Sequence, residues 1–213
     1  MSTIASQAAL KLLEIKAIKL QPNNPFTWAS GLKSPIYCDN RILLSYPEIR
    51  NFIKNALANK TKAFGDFDVV AGVATAGIAH GALLADEITK PFIYVRSKPK
   101  EHGRQNKIEG RLVEGSKVLV VEDLISTGKS SLEACDALIE AGAEVIGVLA
   151  IFTYGFDISK ERFSERKIPM DTITNYRNLI NEAFQTNYIT ETERSLLENW
   201  NKNPKKWAEK LQN

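Results

Sequence analysis

Lys117-Val118-Leu119-Val120-Val121-Glu122-Asp123-Leu124-Ile125-Ser126-Thr127-Gly128-Lys129-Ser130 is the stretch that decides the fold of this chain. Val118 to Val121 form a short uninterrupted apolar run rich in β-branched residues, the signature of a parallel strand buried on both faces between helices. The strand ends in two acids, and a hydroxyl-rich loop then opens a helix. Open α/β sheets bind ligands at the carboxyl edge of their strands, where a helix N-terminus offers unpaired N–H groups and a positive dipole end to an anion. Backbone donors from Ser126 to Ser130, with the hydroxyls of Ser126, Thr127 and Ser130, suit one phosphate. Glu122 and Asp123 repel phosphate, so their partners are sugar hydroxyls or a hydrated divalent metal. Glu122, Asp123, Leu124, Ile125, Ser126, Thr127, Gly128, Lys129 and Ser130 thus form a candidate sugar-phosphate site. Gly128-Lys129-Ser130 also matches the tail of a nucleoside-triphosphate P-loop, but that loop needs a glycine where this chain has Asp123. An ordinary capped strand-turn-helix leaves the acidic pair at the end of a buried strand without a reason.

Composition bounds the rest. The chain has 213 residues, 44% hydrophobic and 25% charged, and a formal net charge of +3. That suits one well-buried α/β domain and is too weakly basic to argue for nucleic acid. Cys38 and Cys135 have no metal-ligand spacing and are expected as reduced thiols in a cytoplasmic protein, with neither as a nucleophile. Lys11, Glu14, Lys16 and Lys19 interrupt the N-terminal apolar residues, so neither a secretory core nor a membrane span is expected there.

Along the chain, apolar spacing predicts a helix over residues 4–18, ended by Pro22 and Pro25. Phe26 to Arg41 reads as two short strands about a Ser-Gly turn. A helix is expected over 47–58, with Pro47 in its first turn, and a strand over 68–72. The small residues of Gly72-Val73-Ala74-Thr75-Ala76-Gly77-Ile78-Ala79-His80-Gly81 allow either close approach of backbone to a ligand or close helix-strand packing. His80 reads as structural. Tyr94 to Gly110 is a strand end followed by a long loop carrying Arg96, Lys98, Lys100, Arg104 and Lys107. Such charge runs are usually solvated loops, yet long loops in compact domains also serve as active-site lids. Residues 156–213 alternate charged and apolar positions, with Leu196, Leu197 and Trp200 on one helical face; they are expected as a packed tail or an interface.

Three of these segments resemble known signatures. Val118 to Ser130 is similar to the ribose-phosphate signature of the type I phosphoribosyltransferases, and Phe26-Thr27-x-x-Ser30-Gly31-x-x-Ser34-Pro35 and Arg96-x-x-x-Lys100-x-His102-Gly103 resemble the base hood and catalytic loop of the orotate phosphoribosyltransferases. The resemblance covers the chain to about Thr153. It implies an α/β, parallel-sheet type I phosphoribosyltransferase fold with an N-terminal hood (mainly 1–45) and a C-terminal helical segment (about 155–213), all one domain. It also implies phosphoribosyl transfer from phosphoribosyl pyrophosphate (PRPP) to orotate, in pyrimidine biosynthesis.

By the same resemblance, Glu122 and Asp123 take the ribose hydroxyls and Ser126 to Ser130 the 5-phosphate. The loop Ala74, Thr75, Ala76 and Gly77 takes the pyrophosphate with Arg96, Lys100 and His102. Lys100, His102 and Asp123 are the candidate catalytic residues. Mg²⁺ is expected as cofactor, bound through PRPP and water rather than by direct protein ligands. A homodimer is expected to share the loop 97–110 across its interface, Lys100 and His102 reaching the neighbouring site, with no nucleic-acid or membrane partner. The sequence departs from the family where Ala29, Ala76 and Ser97 replace expected lysines. Thr153-Tyr154-Gly155 stands where an arginine for the substrate carboxylate is expected, leaving Ser126, Lys33 and backbone N–H groups as candidate donors to it, with Tyr37 a further candidate orotate contact. A purine phosphoribosyltransferase would lack the Phe26 to Pro35 signature, and a PRPP-sensing regulator would add a nucleic-acid-binding module.

Overall fold

The computed structural model describes residues 3–28, 31–97 and 107–209. They divide into two compact units, one of residues 1–46 with 174–213 and the other of residues 47–173. The first unit opens with α1 (Ile4–Glu14), whose N-cap Thr3 accepts from the Ser6 N–H. The helix stops short of the expected residue 18. Lys16 takes a left-handed φ of 58° and its N–H donates to the Leu13 carbonyl, which closes the helix before either proline. The β-branched Ile18 then starts β1 (Ile18–Leu20), which is followed by β2 (Phe26–Thr27), β3 (Lys33–Ser34) and β4 (Ile36–Cys38). The expected hairpin forms, with β2 antiparallel to β3 and Thr27 opposite Lys33, while β4 pairs back onto β1.

The second unit holds the sheet. After α2 (Pro47–Thr61) come β5 (Val69–Val73), α3 (Ala76–Glu87), β6 (Phe92–Val95), β7 (Ile108–Glu109) and β8 (Lys117–Ile125). Then follow α4 (Lys129–Glu140), β9 (Glu144–Thr153), α5 (Asp157–Glu165) and β10 (Met170–Asn175). Strand order is β10-β9-β8-β5-β6-β7. Neighbours from β9 to β6 run parallel, as expected of a parallel sheet, and β7 adds an antiparallel edge beside β6. The segment from about 155, expected as helical, also contributes β10.

Alternation along the strands feeds two cores. Val69, Ala71, Val118 and Val120 pack with Leu132, Cys135 and Leu138 of α4 and Phe163 of α5. Val70, Leu119 and Val121 have the opposite parity and are fully buried. On that side α3 lies close, because glycines remove the side chains that would hold it off. A Cβ on Gly72 would stand 2.8 Å from the Gly77 carbonyl oxygen, and one on Gly77 2.6 Å from that of Val121. The small residues expected in this segment thus serve close helix-strand packing. Burial on both faces is the physical reason β8 reads as an unbroken apolar run.

The chain returns to the first unit through α6 (Tyr176–Gln185), α7 (Glu191–Lys202) and α8 (Pro204–Glu209). A capping box between Thr190 and Glu193 starts α7. Trp200 is fully buried, with the Trp28 ring edge-on at 5.8 Å and the Tyr176 ring tilted at 5.5 Å, so this tryptophan is core. No described helix is long and apolar enough to cross a membrane.

Candidate functional site at the carboxyl edge of the sheet

Strand order creates the site. From β5 the chain crosses through α3 to β6 on one side, whereas β8 pairs with the other side of β5 and leads outward to β9. The connections after β5 and β8 therefore diverge at adjacent strand ends, the switch point at which open α/β sheets bind ligands.

At this edge β8 runs four residues beyond its apolar run, so Glu122 and Asp123 lie within the strand rather than after it. Leu124 and Ile125 pair in register with Phe152 and Thr153 of β9. Glu122 is only 5% exposed. Its carboxylate accepts from the Asp123 N–H (3.1 Å), the Ser130 hydroxyl (3.3 Å) and the Ser131 hydroxyl (3.2 Å). Burial above all, and then the charge of Asp123, holds its pKa well above the ordinary carboxylate range. Asp123 is half-buried.

This has a measurable consequence for stability. A carboxyl whose folded pKa exceeds its unfolded value contributes stability that is fully present below the ordinary value of 4.5 and is lost as pH rises through the folded value. In the ligand-free protein, Glu122→Gln should therefore gain stability over the parent as pH is raised above the ordinary value of 4.5. Denaturant midpoints of both proteins across that range check this; a constant difference contradicts it.

Beyond Ile125 the chain bends through Ser126, Thr127 and Gly128 into α4. Gly128 has φ +76° and brings no capping side chain, so helix geometry leaves the first N–H groups of α4 without intrahelical partners. The turn is held from two sides. Ile125 accepts at its carbonyl from the Thr153 hydroxyl and the Tyr154 N–H. Arg162 of α5 donates through Nη1 to the Thr127 carbonyl at 3.1 Å. Lys129 points outward, 73% exposed and 3.7 Å from Glu133.

The second connection, Ala74 to Gly77, includes a cis peptide between Ala74 and Thr75. It is tied to the end of β6 by the Ala74 N–H donating to the Val95 carbonyl. Ala74, Arg96, Ser97, Lys107, Ser130 and Glu133 line one crevice, so residues distant in sequence share a small volume. The Arg96 N–H donates to the Lys107 carbonyl, pinning the two ends of the cationic loop together. The Arg96 guanidinium lies 3.5 Å from Glu109.

Lys100 and His102 lie outside the described residues, as do Ala29, Lys98 and Arg104. Lys33 and Tyr37 belong to the first unit. There the Lys33 ammonium donates to the Thr27 hydroxyl at 2.8 Å, and the Tyr37 ring is tilted against Phe26 at 5.7 Å. His80 is buried at 3% exposure, as expected of a structural residue. Tyr154, at the position expected to differ from the family, is buried and stacked on Phe156 at 5.2 Å. Sequence reasoning missed Ser131, Glu109 and Arg162. Ser131 was signalled only by adjacency to Ser130, whereas nothing local marked the 35-residue link from Arg162 to Thr127.

The phosphoribosyl transferase domain family matches residues 40–186. The chain is 56% identical over 207 residues to the orotate phosphoribosyltransferase of Listeria innocua, covering 97% of this chain and 99% of that one. It is 52% identical over 209 residues to that of Porphyromonas gingivalis, covering 98% and 100%. The crystal structure of orotate phosphoribosyltransferase from Aeropyrum pernix is similar with a TM-score of 0.74 and 25% identity, covering 85% of this chain and 99% of that one. With a switch-point site of this build and relatives matching over nearly their whole length, the chain belongs to the phosphoribosyltransferase family, among the orotate phosphoribosyltransferases.

Proposed function

We propose that the chain transfers the 5-phosphoribosyl group of PRPP to orotate, giving orotidine 5′-phosphate and pyrophosphate in pyrimidine biosynthesis. The observation that carries this reading is the convergence of the 74–77 connection, Arg96 and the Glu122 to Ser130 segment at one sheet edge. In the reaction the C1–O bond of the ribose breaks as N1 of orotate bonds to C1, and the electron pair of the broken bond leaves on pyrophosphate. Positive character grows on the sugar while negative charge grows on the departing group, so catalysis is largely electrostatic. Amides of residues 126–130 hold the 5-phosphate and Asp123 accepts from the ribose hydroxyls. The 74–77 connection, Arg96 and Lys100 stabilise the pyrophosphate, and His102 hydrogen-bonds or protonates it. Burial of Glu122 against Ser130 and Ser131 gives it a further part, shaping the first turn of α4. Ser126, Lys33 and Tyr37 remain the candidate orotate contacts.

Among the described residues no three metal-ligating side chains cluster, and the donors at the site are the two carboxylates Glu122 and Asp123. Glu122 is taken up by Ser130 and Ser131, and Mg²⁺ keeps several waters and binds substrate phosphates, so it would be held here through PRPP and water rather than by direct protein ligands. When bound, Mg²⁺ neutralises charge on the leaving pyrophosphate. We read the protein as one domain, since the family match spans parts of both units, and as a homodimer sharing the loop 97–110. A cytoplasmic setting suits its two thiols, neither in a disulfide, of which Cys135 is pushed up to about 12 by burial and so stays protonated and inert. Loss of orotate absorbance on mixing protein, PRPP and Mg²⁺, with no turnover of uracil or hypoxanthine in its place, tests the reading. No orotate consumption, or preference for another base, overturns it.

A further inference from the structure

We infer that Arg162, on α5, is a positioning residue that orients the Thr127-Gly128 peptide for the 5-phosphate. The inference rests on the reading of residues 126–130 as the phosphate cradle and adds a residue that reaches it from 35 positions away. A phosphate cradle needs N–H groups facing inward and carbonyl oxygens facing away, since a carbonyl oxygen repels phosphate oxygen. Thr127 is the mid-loop residue where the chain can fail this requirement, because the next residue, Gly128, has the open conformational range of a glycine at φ +76°.

Arg162 resolves the ambiguity. Its Nη1 donates to the Thr127 carbonyl at 3.1 Å. In a trans peptide the C=O and the following N–H point in opposite directions, so holding the Thr127 carbonyl toward α5 turns the Gly128 N–H away from α5. A cationic donor on the carbonyl also polarises the peptide, making that N–H a better donor to an anion. The contact is not isolated. Phe163, the next residue, is buried beneath the turn, and a Cβ on Gly128 would stand 2.8 Å from its ring. One turn further on, Arg166 reaches Asp136 of α4 at 3.1 Å. The helix thus grips the turn and the helix that follows it, with Arg162 making the contact that carries direction.

Ribose 5-phosphate carries only the group this cradle receives, whereas pyrophosphate belongs to the 74–77 connection, so the two ligands separate a local effect from a general one. By calorimetry on the full chain, Arg162→Ala should weaken ribose 5-phosphate about tenfold and leave pyrophosphate within about twofold. Arg162→Lys should recover part of the loss. Lys160→Ala, which removes an exposed cation from the same helix, should change neither. Unchanged ribose 5-phosphate affinity in Arg162→Ala overturns the assignment, as does equal weakening of both ligands with a lowered melting temperature. Failure of the parent chain to bind ribose 5-phosphate overturns the cradle itself, and this proposal with it.

Discussion

Asp123→Asn is expected to weaken PRPP binding about a hundredfold while the melting temperature stays within a few degrees of the parent. The substitution keeps shape and removes one negative charge. A carboxylate accepting from sugar hydroxyls makes charge-assisted hydrogen bonds, each worth about 1.5–3 kcal/mol, and two hydroxyls are presented by the ribose. Asparagine retains one acceptor and turns two donors toward hydroxyls that also need to donate. The folded protein loses little, because Asp123 is only half-buried and its charge opposes that of the buried Glu122. The neighbouring acid would be a poorer probe. Truncating Glu122 strips the acceptor from the Ser130 and Ser131 hydroxyls and opens a cavity, so weakened binding would mix with damage to the fold. Calorimetric titration of Asp123→Asn with PRPP and Mg²⁺ checks the prediction; unchanged affinity removes Asp123 from the ribose site.

Lys100→Ala is expected to lower turnover by about two to three orders of magnitude, because removing one preorganised charge from a developing anion costs about 3–4 kcal/mol of transition-state stabilisation. Folding should be unaffected, since the role proposed for this side chain is on the leaving group. If the loop is shared across a homodimer, as proposed, a sharper statement is possible. In a mixed dimer of Lys100→Ala and Asp123→Asn chains, one site receives both defects and the other neither. Random reassortment makes half the dimers mixed, each with one intact site, so activity should return to about a quarter of the parent's. Near-normal turnover of Lys100→Ala removes that lysine from catalysis. Silence in dimers proven to be mixed shows that each chain completes its own site.

Much of this molecule was legible from local pattern. Four apolar residues followed by two acids and a small, hydroxyl-bearing turn are a contiguous motif, and the ends of a buried strand and of a helix are chemically marked. The Phe26 to Ser34 hairpin announced itself for the same reason, as two short strand-like runs on either side of a Ser-Gly pair in the sequence. Boundaries that depend on partners were less readable. Nothing around Leu124 and Ile125 says that β8 continues until β9 is alongside to pair with them. Likewise β7 and β10 are edge strands, placed where β6 and β9 present them with unmet backbone groups.

Chemistry along the chain marked which residues suit a sugar phosphate, since hydroxyls, acids and glycines carry that information wherever they are placed. Folding settled which of them meet. Only the β9-β8-β5-β6 order sets the Ala74 connection beside Ser130, and only the packing of α5 against the turn brings Arg162 to the Thr127 carbonyl. Periodicity reports a residue's environment over one or two turns, whereas a hydrogen bond between residues 35 positions apart depends on how whole strands and helices pack, and no local pattern encodes that.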